Sequence, residues 1–218
     1  MIDASPARAL LYLLFAATIA VADDKPMPWQ TLLKGDKLGK WTATKFGGEG
    51  ELSIKNGLLT LTMGYPMTGV TWTGKEFPKM DYEIELQARR VEGNDFFCGL
   101  TFPIGETHAS LILGGWGGTV TGISSIDFFD ASENETMSVI DYKQNKWYDV
   151  RVQVLKDHVT VWLDSKKIIE VKGEKKWSTR PEVDLSKPLG LACFQTKAEF
   201  RNFRFRKVPP VEPKGGDK

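Results

Sequence analysis

Between residues 81 and 90 the chain reads DYEIELQARR, and residue character flips at every step as far as Arg89. Tyr82, Ile84, Leu86 and Ala88 are apolar or aromatic, and Glu83, Glu85, Gln87 and Arg89 between them are polar. A period of two sends successive side chains to opposite faces, so this is a strand with one buried and one wet face. WYDVRVQVL repeats the pattern, with Tyr148, Val150, Val152 and Val154 set against Asp149, Arg151 and Gln153. ELSIKNGLLTLTMG reads as two strands around Asn56-Gly57, the dipeptide favoured where both central turn residues need positive φ. HVTVWLD and KIIEVKG follow, joined by a short turn at Asp164-Ser165-Lys166-Lys167, and GLACFQT and AEFRNFRFRKV close the run. No segment keeps a helical period over three turns. Short strands separated by turn signals define an all-β sandwich or barrel.

The 218 residues fit one domain of sandwich size, long enough for a substantial core. Lys plus Arg number 29 and Asp plus Glu 28, a net charge of +1, and no long run of one sign occurs. That balance argues against a nucleic-acid partner. Arg8 precedes the apolar stretch ALLYLLFAATIAVA, which ends on the small-x-small pattern Ala20-Val21-Ala22. We expect residues 1–22 to be a signal peptide and the protein to be secreted or periplasmic, with membrane attachment only if that segment stays uncleaved. The mature domain is expected over 23–208, and the proline- and lysine-rich tail 209–218 is expected to be disordered. Cys98 and Cys193 each share a strand face with apolar residues (Phe96 and Leu100; Leu191). They read as buried thiols, with a bridge between them as the alternative.

The segment LILGGWGG, residues 111–118, places two glycine pairs around Trp116. Glycine weakens a strand, so the pairs need a reason. One is that Gly114, Gly115, Gly117 and Gly118 let a ligand approach the backbone while Trp116 offers its face to sugar C–H groups. The other is a turn with Trp116 tucked into the core.

DFFDASENET follows, with Asp127, Asp130, Glu133 and Glu135. It reads as a solvated loop, as a loop holding calcium or another divalent metal through clustered oxygens, or as a catalytic rim. Alternation puts Ser125 and Asp127 on one face and Ile126 on the other, so Asp127 is expected to face a cleft beside Trp116. Catalytic candidates are Asp127 paired with Asp95 or Glu133; Ser125 is a candidate sugar partner. Arg89, on the wet face of its strand, either meets a sugar oxygen or is a surface ion. His108 lies close before the glycine strand and is placed on the same rim.

Several stretches resemble a known family in the same order along the chain. TLLKGDKLGKW resembles an opening LFNGKDLSGW, SIKNGLLTL a W-x-V-x-D-G-x-L element, and DYEIELQARR an F-x-L-x-x-E-F-R strand. WYDVRVQVLKDHVTVWLD and PLGLACFQTKAEFRNFRFRKV resemble two later strand pairs. Together these stretches, spanning about residues 30–208, are similar to the 3-keto-disaccharide hydrolase domain family, formerly a domain of unknown function. The resemblance implies a concanavalin A-like jelly roll of two curved antiparallel sheets, with a carbohydrate site on the concave face. It makes Gln195 a candidate substrate residue and implies cleavage of a glycoside, in the 3-keto class by loss of the C2 proton and expulsion of the C1 oxygen. Asn94 stands for the family's turn asparagine. ASLILGG offers no counterpart to the family's middle-strand Glu and Gln, and Gln195-Thr196-Lys197 lacks its closing histidine. A glycoside-cleaving enzyme, a lectin-like binding module and a structural exported domain are therefore the competing functions. Oligomeric state is not legible.

Overall fold

The computed structural model describes residues 25–210; the expected signal segment and the tail from residue 211 lie outside the described residues. Two antiparallel sheets pack face to face. With strands numbered in chain order, the first sheet runs β13 (Lys166–Lys172), β12 (His158–Leu163), β11 (Tyr148–Val154), β6 (Tyr82–Gly93), β15 (Thr196–Lys207), β4 (Leu58–Leu61), β3 (Leu52–Lys55), and β1 (Gln30–Thr31) also pairs with β15. The second runs β10 (Ser138–Val139), β9 (Val120–Ser124), β8 (Thr107–Gly115), β7 (Cys98–Ile104), β14 (Gly190–Phe194), β5 (Met67–Trp72), β2 (Trp41–Ala43). The one helical element among the described residues is a short 3-10 helix, η1 (Pro181–Ser186). This is the expected all-β jelly roll.

The first sheet keeps the alternation of its sequence. Tyr82, Ile84, Leu86 and Ala88 of β6 and Tyr148, Val150, Val152 and Val154 of β11 enter the core, and the polar residues between them point outward. Asn56 (φ 51°) and Gly57 (φ 75°) both take the left-handed conformation between β3 and β4, as the hairpin dipeptide requires. In β15 the register shifts between Arg201 and Arg204, and this bulge brings Phe200 and Phe203 to the same buried face although they are three apart. Across the sandwich, the Tyr82 hydroxyl donates to the Pro103 carbonyl at 2.5 Å.

The second sheet is buried on both faces through β7 and β8. Its inward side carries Leu100, Phe102, Leu111 and Leu113. Its outward side is small: Thr101, Ser110, Ser124, Gly190 and Ala192. Small residues are needed there because chain segments lie directly on that face. A Cβ on Gly190 would sit 2.6 Å from the Ser186 carbonyl oxygen of η1, closer than any real contact allows. Cys98 and Cys193 face the core as free thiols, so the buried-thiol reading holds.

Candidate functional site

Where η1 and the 125–137 segment leave the outward face of the second sheet uncovered, a slot of about 240 Å³ remains. Trp116, Phe96, Phe194, Ile112 and Met67 give it aromatic and apolar walls, while Asp95, Ser110, Ser124, Arg180 and Glu182 supply polar edges.

Trp116 sits on the turn between β8 and β9 at φ 49°, closed by a Gly118 N–H···O=C Gly115 bond of 3.1 Å. Beneath it, Arg90 of β6 is 5% exposed, and its Nη2 donates to the carbonyls of Gly118 at 2.7 Å and Gly114 at 3.3 Å. The guanidinium lies 5.3 Å from the Phe97 ring centre. Burial lowers the Arg90 pKa, opposed by the neighbouring Asp95 charge. A Cβ on Gly114 would lie 2.4 Å from Arg90 Nη2, and one on Gly118 would lie 2.6 Å from the Asn94 carbonyl oxygen. Gly114 therefore admits the buried arginine and Gly118 the Asn94 carbonyl, rather than a ligand. Gly115 packs against Ile112, and Gly117 faces open space. The turn leaves Trp116 43% exposed, so the indole is neither a core anchor nor a free surface residue.

Asp95 is brought to the indole. Its Oδ1 accepts the Phe96 N–H at 2.7 Å and its Oδ2 accepts the Gly117 N–H at 3.1 Å. The carboxylate thereby fastens the strand start of β7 to the Trp116 turn. Arg180 roofs the other side, held by Asp130 at 2.5 Å and Glu182 at 2.9 Å. The hydrogen bond to Arg180 lowers the Glu182 pKa, and the same bond raises that of Arg180.

The remaining expected residues do not converge on the slot. Asp127 corrects the alternation argument: β9 ends at Ser124, and residues 126–129 form a tight turn in which Asp127 has φ 51°. Its Oδ1 accepts the Lys176 N–H at 3.0 Å on the exposed surface. Ser125 is buried and donates to Asp130 Oδ1 at 3.0 Å, so its hydroxyl is occupied within the fold. Glu133 points to solvent and Glu135 pairs with Lys175 at 2.9 Å. Asp130 is held by Arg180, while Asp127, at 3.9 Å, and Glu135 both approach the Lys175 ammonium, and among the described residues no three His, Cys, Asp or Glu side chains gather in one place. His108 lies outside the slot toward the end of η1, its pKa lowered by burial and then by Lys187 and Lys79. Gln195 (φ 43°) turns the chain between β14 and β15, its N–H bonded to the Pro66 carbonyl and its side chain exposed. Arg89 is on the outward face of the other sheet, paired with Glu199 at 2.5 Å.

Phe96, Phe194, Arg180 and Arg90 are not among the site residues that the sequence suggests. Phe96 was expected beside Cys98 on the core face; instead Phe97 enters the core and Phe96 turns out, stacking at 5.7 Å between ring centres with Phe194.

The fold is shared with carbohydrate-active proteins. SCLam, a non-specific endo-beta-1,3(4)-glucanase from family GH16, superposes with a TM-score of 0.54 over 88% of this chain and 94% of its own, at 10% identity. Laminarinase from Flavobacterium sp. UMI-01 gives 0.52 over 85% and 100%, at 12% identity. A putative glycosyl hydrolase from Parabacteroides distasonis gives 0.51 over 83% and 94%, at 15% identity. Among curated protein sequences there is no significant match. These similarities establish a concanavalin A-like jelly roll. The chain belongs to the 3-keto-alpha-glucoside-1,2-lyase-like domain family, whose sequence profile matches residues 28–206. It is thus a member of a carbohydrate-active domain family, as its strand motifs imply.

Proposed function

We propose that this domain binds carbohydrate without cleaving it, receiving a single terminal sugar unit in the slot at Trp116. The observation carrying this reading is a half-exposed indole on a rigid turn, facing Phe96 and Phe194 across a space of about 240 Å³. That is below the size of a typical drug-sized pocket and suits one ring rather than a chain. Amphipathic aromatics bury sugar C–H faces while edge polar groups take hydroxyls. Membership of the family supports the carbohydrate class, and the N-terminal pattern supports export of the domain.

Cleavage has less support from the side chains present. Glycoside hydrolysis by the usual route uses two carboxyl groups free to exchange protons on either side of the bond. Proton abstraction next to a 3-keto group uses one free base and a group that holds the enolate. Here Asp95 spends its oxygens on backbone N–H groups, Glu182 and Asp130 share Arg180, and the β8 residues lining the slot are Ser110 and Ile112.

The test is a panel of monosaccharides, disaccharides and their 3-keto forms, followed by tryptophan fluorescence for binding and by chromatography for released sugar. Saturable quenching without release is the expected result. Release of sugar that Asp95→Asn abolishes in a still-folded protein would replace this reading with the hydrolytic one.

A further inference from the structure

The outward face of the first sheet carries a second and larger groove of about 1330 Å³. It crosses β12, β11, β6 and β15 and is walled at one side by the β3–β4 hairpin turn. Six cationic side chains line it, Lys34, Lys55, Arg89, Arg151, Arg201 and Arg204, against two carboxylates, Glu85 and Asp149. In a chain with a net charge of +1 this is a marked local surplus.

The arginines are held in place. Arg151 lies 3.8 Å from the Trp162 ring centre, and Arg89 and Arg201 flank Trp147 at 4.6 and 4.1 Å. Stacking fixes a guanidinium without neutralising it. Arg89 and Arg204 are paired with Glu199 and Glu85. Arg201 bonds only a neutral partner among the described residues, donating from Nε to Gln87 Oε1 at 2.7 Å, and Arg151 has a buried Nε with no partner. Lys34 and Lys55 are exposed on the neighbouring turns. Among the described residues, four cations of this groove, Lys34, Lys55, Arg151 and Arg201, therefore have no carboxylate within ion-pair distance.

We propose that this groove binds an anionic polysaccharide, a polymer bearing one carboxylate or sulfate per sugar unit. This rests on the carbohydrate reading of the domain but concerns a different face. The volume exceeds that of a small-molecule pocket and accommodates several sugar rings. Double-stranded DNA places one charge per about 1.7 Å of axis with both strands counted. Four cations without an ion pair, beside the Asp149 carboxylate, match a polymer whose charges are further apart.

Affinity electrophoresis through polygalacturonate, laminarin and a single-stranded oligothymidylate, at low and high ionic strength, tests this. Retardation by polygalacturonate that weakens with salt is expected, with none by laminarin on this face. The Arg151→Gln/Arg201→Gln double variant should lose about tenfold or more in polygalacturonate affinity, two charge-assisted contacts being removed. Should thermal melting show that variant to be unfolded, Lys34→Glu/Lys55→Glu on the exposed turns serves instead, with the same loss expected. Trp116→Ala should leave polygalacturonate binding unchanged, so failure of the slot reading and failure of this one appear in different lanes. No retardation of the wild-type protein, unchanged binding by the folded charge variants, or tighter binding of the oligonucleotide would each overturn the proposal.

Discussion

Arg90 Nη2 donates to the Gly118 carbonyl at 2.7 Å from a position almost sealed from solvent, so the Trp116 turn rests on a buried cation. No carboxylate pairs with that guanidinium within ion-pair distance among the described residues; carbonyl dipoles and the Phe97 ring receive it instead. Replacing it with a hydrophobe strands both carbonyls. Arg90→Met should therefore lower the unfolding free energy by about 2–4 kcal/mol, as expected for breaking charge-assisted buried bonds. Gly118→Ala should also destabilise, by about 1–3 kcal/mol, since φ 112° and the Asn94 carbonyl both oppose a side chain. Urea unfolding measures both, and a loss under half a kcal/mol in Arg90→Met would show the turn to be self-supporting.

Trp116 should separate stability from recognition. Its ring is 43% exposed, so Trp116→Ala should cost under about 1 kcal/mol of stability while losing about 1–3 kcal/mol of sugar affinity, some five- to 150-fold. Calorimetric titration beside a melting curve reads both quantities. A melting temperature that falls by many degrees with affinity intact would return the indole to the core.

How much of this was legible follows from what each face touches. β6 and β11 announced themselves because one of their faces meets the core and the other meets water. The second sheet is covered on both sides, so β7 and β8 lose the alternation, and only the small residues Thr101, Ser110 and Gly190 hint that something lies on top. Alternation carried past Ser124 misplaced Asp127, because the chain turns there instead of continuing as a strand. Ser125 lies just past the same strand end, and its hydroxyl donates to Asp130. The roof formed by Arg180 and Glu182 comes from a segment more than 60 residues beyond Trp116, and a tertiary contact of that range leaves no local pattern. The glycines of 114–118 were visible, but their purpose was not, since Arg90 lies in another sheet.

The two cysteines offer a test of the core. Burial pushes the Cys193 thiol up to about 12 and the Cys98 thiol higher still, so almost no thiolate exists near neutrality. Neither should react with a thiol reagent in the native protein at pH 8, and labelling should follow the rate of global unfolding. Rapid stoichiometric modification without denaturant would contradict the packing of β7 against β14.

Acid should loosen the 45–50 turn only as pH falls below about 4.5. Glu49 accepts the N–H groups of Gly47 and Gly48 at 3.0 and 3.1 Å and the Lys45 ammonium at 3.1 Å. Backbone N–H donation, its own included, holds the carboxyl at about 2, below the ordinary 4.5. The folded state thus favours the ionised form. Its contribution to stability is complete above the ordinary value and is lost as pH falls from about 4.5 toward 2. A carbon-13 titration of the Glu49 carboxyl should give a midpoint near 2 in the native protein, and Glu49→Gln should remove that part of the acid dependence. A midpoint above 4 would mean that the turn does not hold its carboxylate in solution.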